Sequence, residues 1–359
     1  MLEELEKVDW QKLSHAHGET LDILGMIRNI ASDDSSIRAQ ALFSLSNDIW
    51  HQETIYEAAI PFLIELLAAP TTPDKDALLV LLARLAAPQT HQHHHELPAI
   101  DTLEAADQPP ACMPQARAAV RQGLATYLAL LDEHNPRVRM CAAYTLAHLW
   151  ECATTTLPRL LTAFIQEDDP RVRANLLLSL EMLSRREGSA ETTDLFLHTV
   201  NSREEPLVKL VAAMALTRQA REKTPRRAVR ILVNAIARPE LIAEAYDELP
   251  WTDGSLIGDI SMTLRHLRPG MAKIAIPALI DALANVGVYS ALSITQTLLY
   301  LAFNDKRERA LGIPQELTSE QRLVLSVISN CLTAWDTNSP VYTVWEAACL
   351  ADFQNRLAS

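Results

Sequence analysis

The sequence predicts an all-α fold built as a stack of helix pairs, and three observations predict it. One phrase recurs: "HNPRVRMCAAYTLAHLW" at 134–150 returns as "DDPRVRANLLLSLEML" at 168–183 and as "EEPLVKLVAAMALTRQA" at 204–220. Inside each copy, apolar residues stand three and four apart, the spacing of one helix face. Glycine is scarce, at 9 residues, and no run of Val, Ile and Thr is bounded by turn residues, so strands are not expected.

The phrase sets the period. Pro136, Pro170 and Pro206 stand 34 and 36 residues apart, within the range of common two-helix repeats. Proline suits the first helical turn, because the N–H it lacks would have no partner there. Asn135 and Asp169 are placed to cap two of these starts. The apolar face is Val138, Ala142, Leu146 and Leu149 in one copy and Val172, Leu176, Leu180 and Leu183 in the next. An earlier, weaker copy, "DDSSIRAQALFSLSNDI" at 33–49, supplies Ile37, Ala41, Leu45 and Ile49.

A second phrase alternates with the first: "AAIPFLIELLAAP" at 58–70, "TTTLPRLLTAFIQED" at 154–168 and "IAIPALIDALANV" at 274–286. Each joins a proline to an apolar helical run. Neither helix of a pair buries its stripe alone, and stacking removes both stripes from water. The expected pairs lie near 34–69, 74–132, 136–167, 170–202, 206–238, 254–285 and 288–303, after an N-terminal helical cap at 9–31. The polar stretch 87–114, with its histidines and prolines, is too long for an ordinary helix connection and reads as a surface insertion. The stretch 237–256 reads as a short helix and a turn. Residues 317–357 read as two capping helices, the first opened by Thr318 with Gln321 three residues on.

The residues Asn135-Pro136-Arg137-Val138-Arg139 and Asp169-Pro170-Arg171-Val172-Arg173 resemble the HEAT-repeat superfamily, including its bacterial lyase-like relatives. The segment "DIWHQETIYEAAIPFLIELL" at 48–67 looks like one subgroup of bacterial HEAT-like proteins. The likeness is clear over 30–220 and weaker over 225–303. It implies one right-handed α-solenoid over 1–359, of about seven HEAT-like pairs with capping helices. It also implies an inter-repeat ladder, in which Arg38, Arg139, Arg173 and Lys209 meet acidic or polar groups of the adjacent unit. A fold likeness of this kind says little about activity.

Composition narrows the function classes. The net charge is −13, with 32 basic against 45 acidic residues. A nucleic-acid binder normally carries a basic footprint, so nucleic acid is not the expected partner. One stretch, "REKTPRRAVR" at 221–230, is locally basic and reads as a solvated helix start. The five cysteines show no CxxC spacing and read as inert thiols in a reducing compartment. The acidic N-terminus lacks a signal-peptide core, and no stretch approaches the roughly 18 apolar residues of a membrane span. A cytoplasmic protein without a membrane role is expected.

Candidate chemistry is thin. His91, His93, His94 and His95 could bind a metal, but consecutive histidines in a loop lack fixed tetrahedral geometry, so no metal and no cofactor is expected. A di-iron hydroxylase of this fold needs several His-Glu pairs, and the sole His-Glu dipeptide is His95-Glu96. A HEAT-like DNA glycosylase is a distant alternative, with Trp150, Tyr144 and Asp169 as an imagined base pocket. It would need a basic face for phosphates. The expected function is therefore non-catalytic: a scaffold or adaptor binding a protein through the concave side. An immunity protein that neutralises a basic toxin is the alternative, because an acidic chain attracts a basic partner. Aligning Ile37, Val138, Val172 and Val208 draws two rows of surface candidates. The first is Phe43, Tyr144, Leu178 and Met214, and the second is Asn47, His148, Met182 and Arg218. The first row either packs between repeats or forms part of an exposed groove.

Overall fold

The computed structural model of the chain describes residues 4–8, 10, 22–48, 53–86, 114–187, 189–251, 256–303 and 317–331. These residues hold seventeen α-helices, joined by turns and 3-10 segments, and no strand. The chain forms two compact units, Met1–Glu187 and Gly188–Ser359. The first contains α1 (Ile23–Ile30), α2 (Ser35–Asp48), α3 (Glu53–Ala68), α4 (Lys75–Ala86), α5 (Pro114–Arg121), α6 (Leu124–Ala129), α7 (Pro136–Ala147), α8 (Ala153–Gln166) and α9 (Pro170–Glu187). The second contains α10 (Ala190–Asn201), α11 (Pro206–Ala220), α12 (Arg226–Ala237), α13 (Ala243–Asp247), α14 (Leu256–Leu264), α15 (Pro269–Leu283), α16 (Val288–Ala302) and α17 (Ser319–Asn330).

The phrase prolines open α7, α9 and α11, as their chemistry dictates. Asn135 Oδ1 accepts from the Arg137 N–H at 3.0 Å, and Asp169 Oδ1 accepts from the Arg171 N–H at 2.8 Å. At α17 the Thr318 hydroxyl accepts from the Gln321 N–H while Gln321 Oε1 accepts from the Thr318 N–H, a complete capping box. The prolines of the second phrase behave differently from those of the first. Pro61, Pro158 and Pro277 stand inside α3, α8 and α15 rather than at their starts. All three lie on the exposed side of their helices, where water can bond the carbonyl each leaves bare.

Packing is between neighbours in sequence; its frame differs from the expected pairs at 34–69 and 136–167 and matches the expected pair at 206–238. In the first unit α1 packs on α2, α3 on α4, α6 on α7 and α8 on α9. The tight association is thus a second-phrase helix with the first-phrase helix that follows it. The reason is visible at Glu167–Asp169, a three-residue turn from α8 to α9. Arg173 Nη1 closes it by donating to the carbonyls of Phe164 and Glu167, at 2.8 and 2.9 Å. In the second unit α10 packs on α11, α11 on α12, and α15 on α16.

Helices one period apart stack into layers. In the first unit α2, α4, α7 and α9 are successive neighbours, with α1, α3 and α5 beside them. In the second unit α11, α14 and α16 form one layer, and α10, α12 and α15 the other. Buried polar side chains stitch the first-phrase layers. Thr145 Oγ1 on α7 donates to the Leu79 carbonyl of α4 at 2.9 Å. Asn175 Nδ2 on α9 donates to the Met140 carbonyl of α7 at 2.7 Å, and Thr297 Oγ1 on α16 donates to the Ser261 carbonyl of α14 at 3.0 Å. Asn175 is fully buried, so its bond fixes the register of two helices at a site where losing it would leave a bare donor, whereas Thr145 Oγ1 also has the Cys141 carbonyl of its own helix at 2.8 Å.

The described residues include α1 from the expected cap at 9–31 and α17 from that at 317–357, with the remainder outside them except Trp10, the turn around α1 and the ends of α17. Residues 87–113 of the expected insertion lie outside them too. The stretch 237–256 contains a 3-10 turn at Pro239–Leu241 and the short α13. Among the described residues no helix is long and apolar enough to cross a membrane.

Candidate functional site

The two rows drawn on the sequence fall into different environments. Phe43 on α2 is 67% exposed, whereas Tyr144, Leu178 and Met214 are buried. His148, the residue that ends α7, is buried as well, and its ring meets Tyr144 edge-on with centroids 4.7 Å apart. Burial pushes the Tyr144 hydroxyl up to about 12, with Arg84 acting against the shift and Cys141 adding to it. Tyr144 and His148 therefore serve the interior as an aromatic pair and offer a partner little area. Phe43 is not their neighbour, because α4 stacks between α2 and α7. The place in α4 equivalent to Tyr144 is held by Ala83, which is fully buried. Met182 on α9 and Arg218 on α11 are half-buried, and Arg218 Nε donates to the Thr263 hydroxyl of α14 at 3.1 Å. Asn47 lies on α2, and its side chain is outside the described residues.

The arginine positions have a double task. Arg38 donates from Nη1 to the carbonyls of Ser32 and Asp33, closing the turn before its own helix, and from Nε to Asp74 at 2.6 Å. Asp74 immediately precedes α4, the next helix of the layer. It is held at φ 53°, a left-handed conformation that Asp tolerates better than most residues. Arg139 repeats the arrangement: Nη1 bonds the carbonyls of Glu133 and His134, while Nε and Nη2 form a fork on Glu167 at 2.7 and 2.8 Å. Arg173 closes its turn in the same manner and places its guanidinium over the Phe164 ring. Lys209, at the equivalent place on α11, is half-buried and makes no such bond among the described residues. An ammonium lacks the planar fork that lets one arginine serve a turn and an acid together.

One cation that the periodicity does not single out is engaged on several sides. Arg117 on α5 is buried, donates to Glu151 at 2.7 Å and to the Ala86 carbonyl at 3.0 Å, and also bonds the His148 carbonyl. Its guanidinium lies over the Trp150 ring. It thereby covers the carbonyl ends of α4 and α7, groups that a helix leaves without an internal partner. Its only signal in the sequence is an arginine flanked by alanines, which does not distinguish it from a surface residue.

These engagements bear on the chemistries weighed above. Trp150 lies beneath Arg117, Tyr144 is interior, and Asp169 caps α9 while pairing with Arg171 at 3.0 Å. The three are thus held in separate structural roles. The Cys141 thiol is pushed up to about 12 by burial and by Asp76, with Arg137 opposing, which makes it a poor nucleophile. Burial likewise raises Cys152. Cys112, Cys349 and the His91–His95 cluster lie outside the described residues, as do His15, His17 and His51. Among the described residues no group of three His, Cys, Asp or Glu side chains could hold a metal ion. No protein-family model matches the chain, and no curated protein is significantly similar to it.

Proposed function

We propose that the chain is a HEAT-like, right-handed α-solenoid of about seven helix pairs with capping helices. In this reading it works without catalysis, as a scaffold or adaptor for a protein partner. One observation carries the proposal: several polar side chains that are buried or largely buried are engaged in joining helices. Arg117, Arg139, Thr145, Asn175 and Thr297 each tie one helix or turn to another. An active site needs several such groups turned together toward a substrate. The partner meets the first unit's layer of first-phrase helices, at Phe43 and Asn47 of α2 and Met182 of α9, and in the second unit Arg218 of α11 is a separate candidate contact. Exposed aromatic, Met and Arg side chains are the types enriched where proteins meet.

The variant Phe43→Ser with Met182→Ser tests this with little risk to the fold, since one side chain is mostly exposed and the other half-buried. Wild type and variant serve as baits in the native cell, with recovered proteins measured by mass spectrometry. One protein should fall by about tenfold with the variant, equivalent to about 1.4 kcal/mol. Identical recoveries from both baits would refute the assigned surface. A second reading, an immunity protein for a basic toxin, is favoured by the net charge of −13. It requires the lost protein to be basic and to associate more slowly as salt rises.

A further inference from the structure

We propose that the second unit carries a separate cationic surface, centred on the outward face of α12, that receives an acidic segment of a partner protein. The charge of the chain is unevenly divided. Residues 1–187 contain 15 basic and 26 acidic residues, a net of −11, whereas 188–359 contain 17 and 19, a net of −2. In the first unit most arginines are paired, among them Arg28, Arg38, Arg117, Arg137, Arg139, Arg159, Arg171 and Arg185. In the second unit Arg221, Lys223, Arg226, Arg227 and Arg230 are all exposed, and among the described residues none has an acidic partner. In a chain with an excess of carboxylates, five cations within ten residues thus stand without an acidic partner among the described residues.

The fold turns this run outward. Ala228, Val229, Leu232, Ala235 and Ile236 fill the buried face of α12, so Arg226, Arg227, Arg230 and Asn234 take the water side. Arg221 stands at φ 44°, a strained position for a residue with a Cβ, and its carbonyl accepts both the N–H and the hydroxyl of Thr224. The strip ends at exposed Arg238 and at Leu241, which is 68% exposed. Beside it stands α15, which packs on α12. Lys273 follows the buried Met271 and Ala272 as Arg230 follows Ala228 and Val229, and it too is exposed and without an acidic partner among the described residues. On the other flank α10 presents the exposed Glu191 and Asp194, which bound the surface on that side.

A mixed surface of arginines and an isobutyl group suits carboxylates interspersed with apolar residues better than a phosphate backbone, which has no use for Leu241. A nucleic acid, or a second copy of the chain, would also face the repulsion of a net charge of −13 along its whole length. A short acidic segment meets only the local field within roughly 10 Å. This surface is independent of the one proposed on the first-phrase layer, and together the two would make the chain a bridge between partners.

The test uses the full chain and a fluorescent peptide of repeated Glu-Glu-Leu, read by anisotropy at low salt. An oligothymidine of equal charge serves as comparison. The peptide should bind wild type, and Arg226→Glu with Arg227→Glu and Arg230→Glu should weaken it by about tenfold or more. Arg28→Gln with Arg137→Gln and Arg159→Gln, in the first unit, should leave it unchanged. If the triple Glu variant does not fold, the corresponding triple Gln variant is read instead, with a smaller loss expected. Equal peptide binding by wild type and the α12 variant overturns the proposal. So does oligothymidine binding as tightly as the peptide, or self-association of wild type that the α12 variant abolishes.

Discussion

Arg117→Ala is expected to destabilise the first unit by about 3–5 kcal/mol, the usual result of breaking a buried charged group out of its bonds. The side chain is 6% exposed, so water does not replace what it loses. Its removal leaves the carbonyls of Ala86 and His148 without this donor and uncovers one face of Trp150. Glu151 suffers less, being 37% exposed. Arg117→Lys should recover only part of the loss, because one ammonium cannot reach three acceptors in the geometry of a planar fork. Urea denaturation of the three proteins measures the effect. A loss below about 1 kcal/mol for the Ala variant would mean that the two helix ends find other donors.

The second large effect is at the joint between Arg139 and Glu167, and it depends on pH. The two side chains are 19% and 8% exposed. Burial, the strongest single influence on Glu167, pushes its carboxyl up. The Arg139 fork, the N–H donors of Asp169 and Asp168, and the Arg139 charge together outweigh it and hold the group below its ordinary value of 4.5. A folded value below the unfolded one means stabilisation that is complete above about pH 4.5 and is lost as pH falls through the folded value. Asp169 is lowered as well, with burial opposed by the Arg171 bonds, and adds in the same direction. Glu167→Gln should therefore be less stable than wild type by about 2 kcal/mol at pH 7, a moderate figure for a pair that keeps some contact with water. The gap should begin to close below about pH 4.5 and be gone once the pH has fallen through the folded value, where wild type itself is neutral at this position. Denaturant midpoints of both proteins across pH 3 to 7 give the comparison, and a gap independent of pH would contradict the assigned ion pair.

The helices were legible in the sequence because their signals are local. Pro136, Pro170 and Pro206, the caps Asn135 and Asp169, and the Thr318–Gln321 box each act within one turn, and each lies where the spacing predicts. The candidate surface was less legible because it depends on which helix adjoins which. The first-phrase copy in α4 has Ala77 and Leu78 where the others have a β-branched residue and a cation, so the rows passed from α2 directly to α7. That omission set Phe43 beside Tyr144, although α4 separates their helices. Arg117 escaped for a related reason. Its partners Ala86, His148 and Glu151 lie 31 to 34 residues away and belong to different elements, beyond the reach of any local pattern. The pairing frame was ambiguous in the same manner, since alternation of two phrases does not say whether the first packs forward or backward.

The central claim is that the first-phrase layer is the face that meets a protein partner. Site-specific photo-crosslinking measures this most directly, with a benzophenone amino acid replacing Phe43 on α2 or Ile165 on α8, the latter being 77% exposed and outside that layer. Both proteins are irradiated in the native cell and their adducts identified by mass spectrometry. The account predicts one protein captured from position 43 and none, or far less of it, from position 165. Capture of the same protein equally from both positions, or only from position 165, would contradict it.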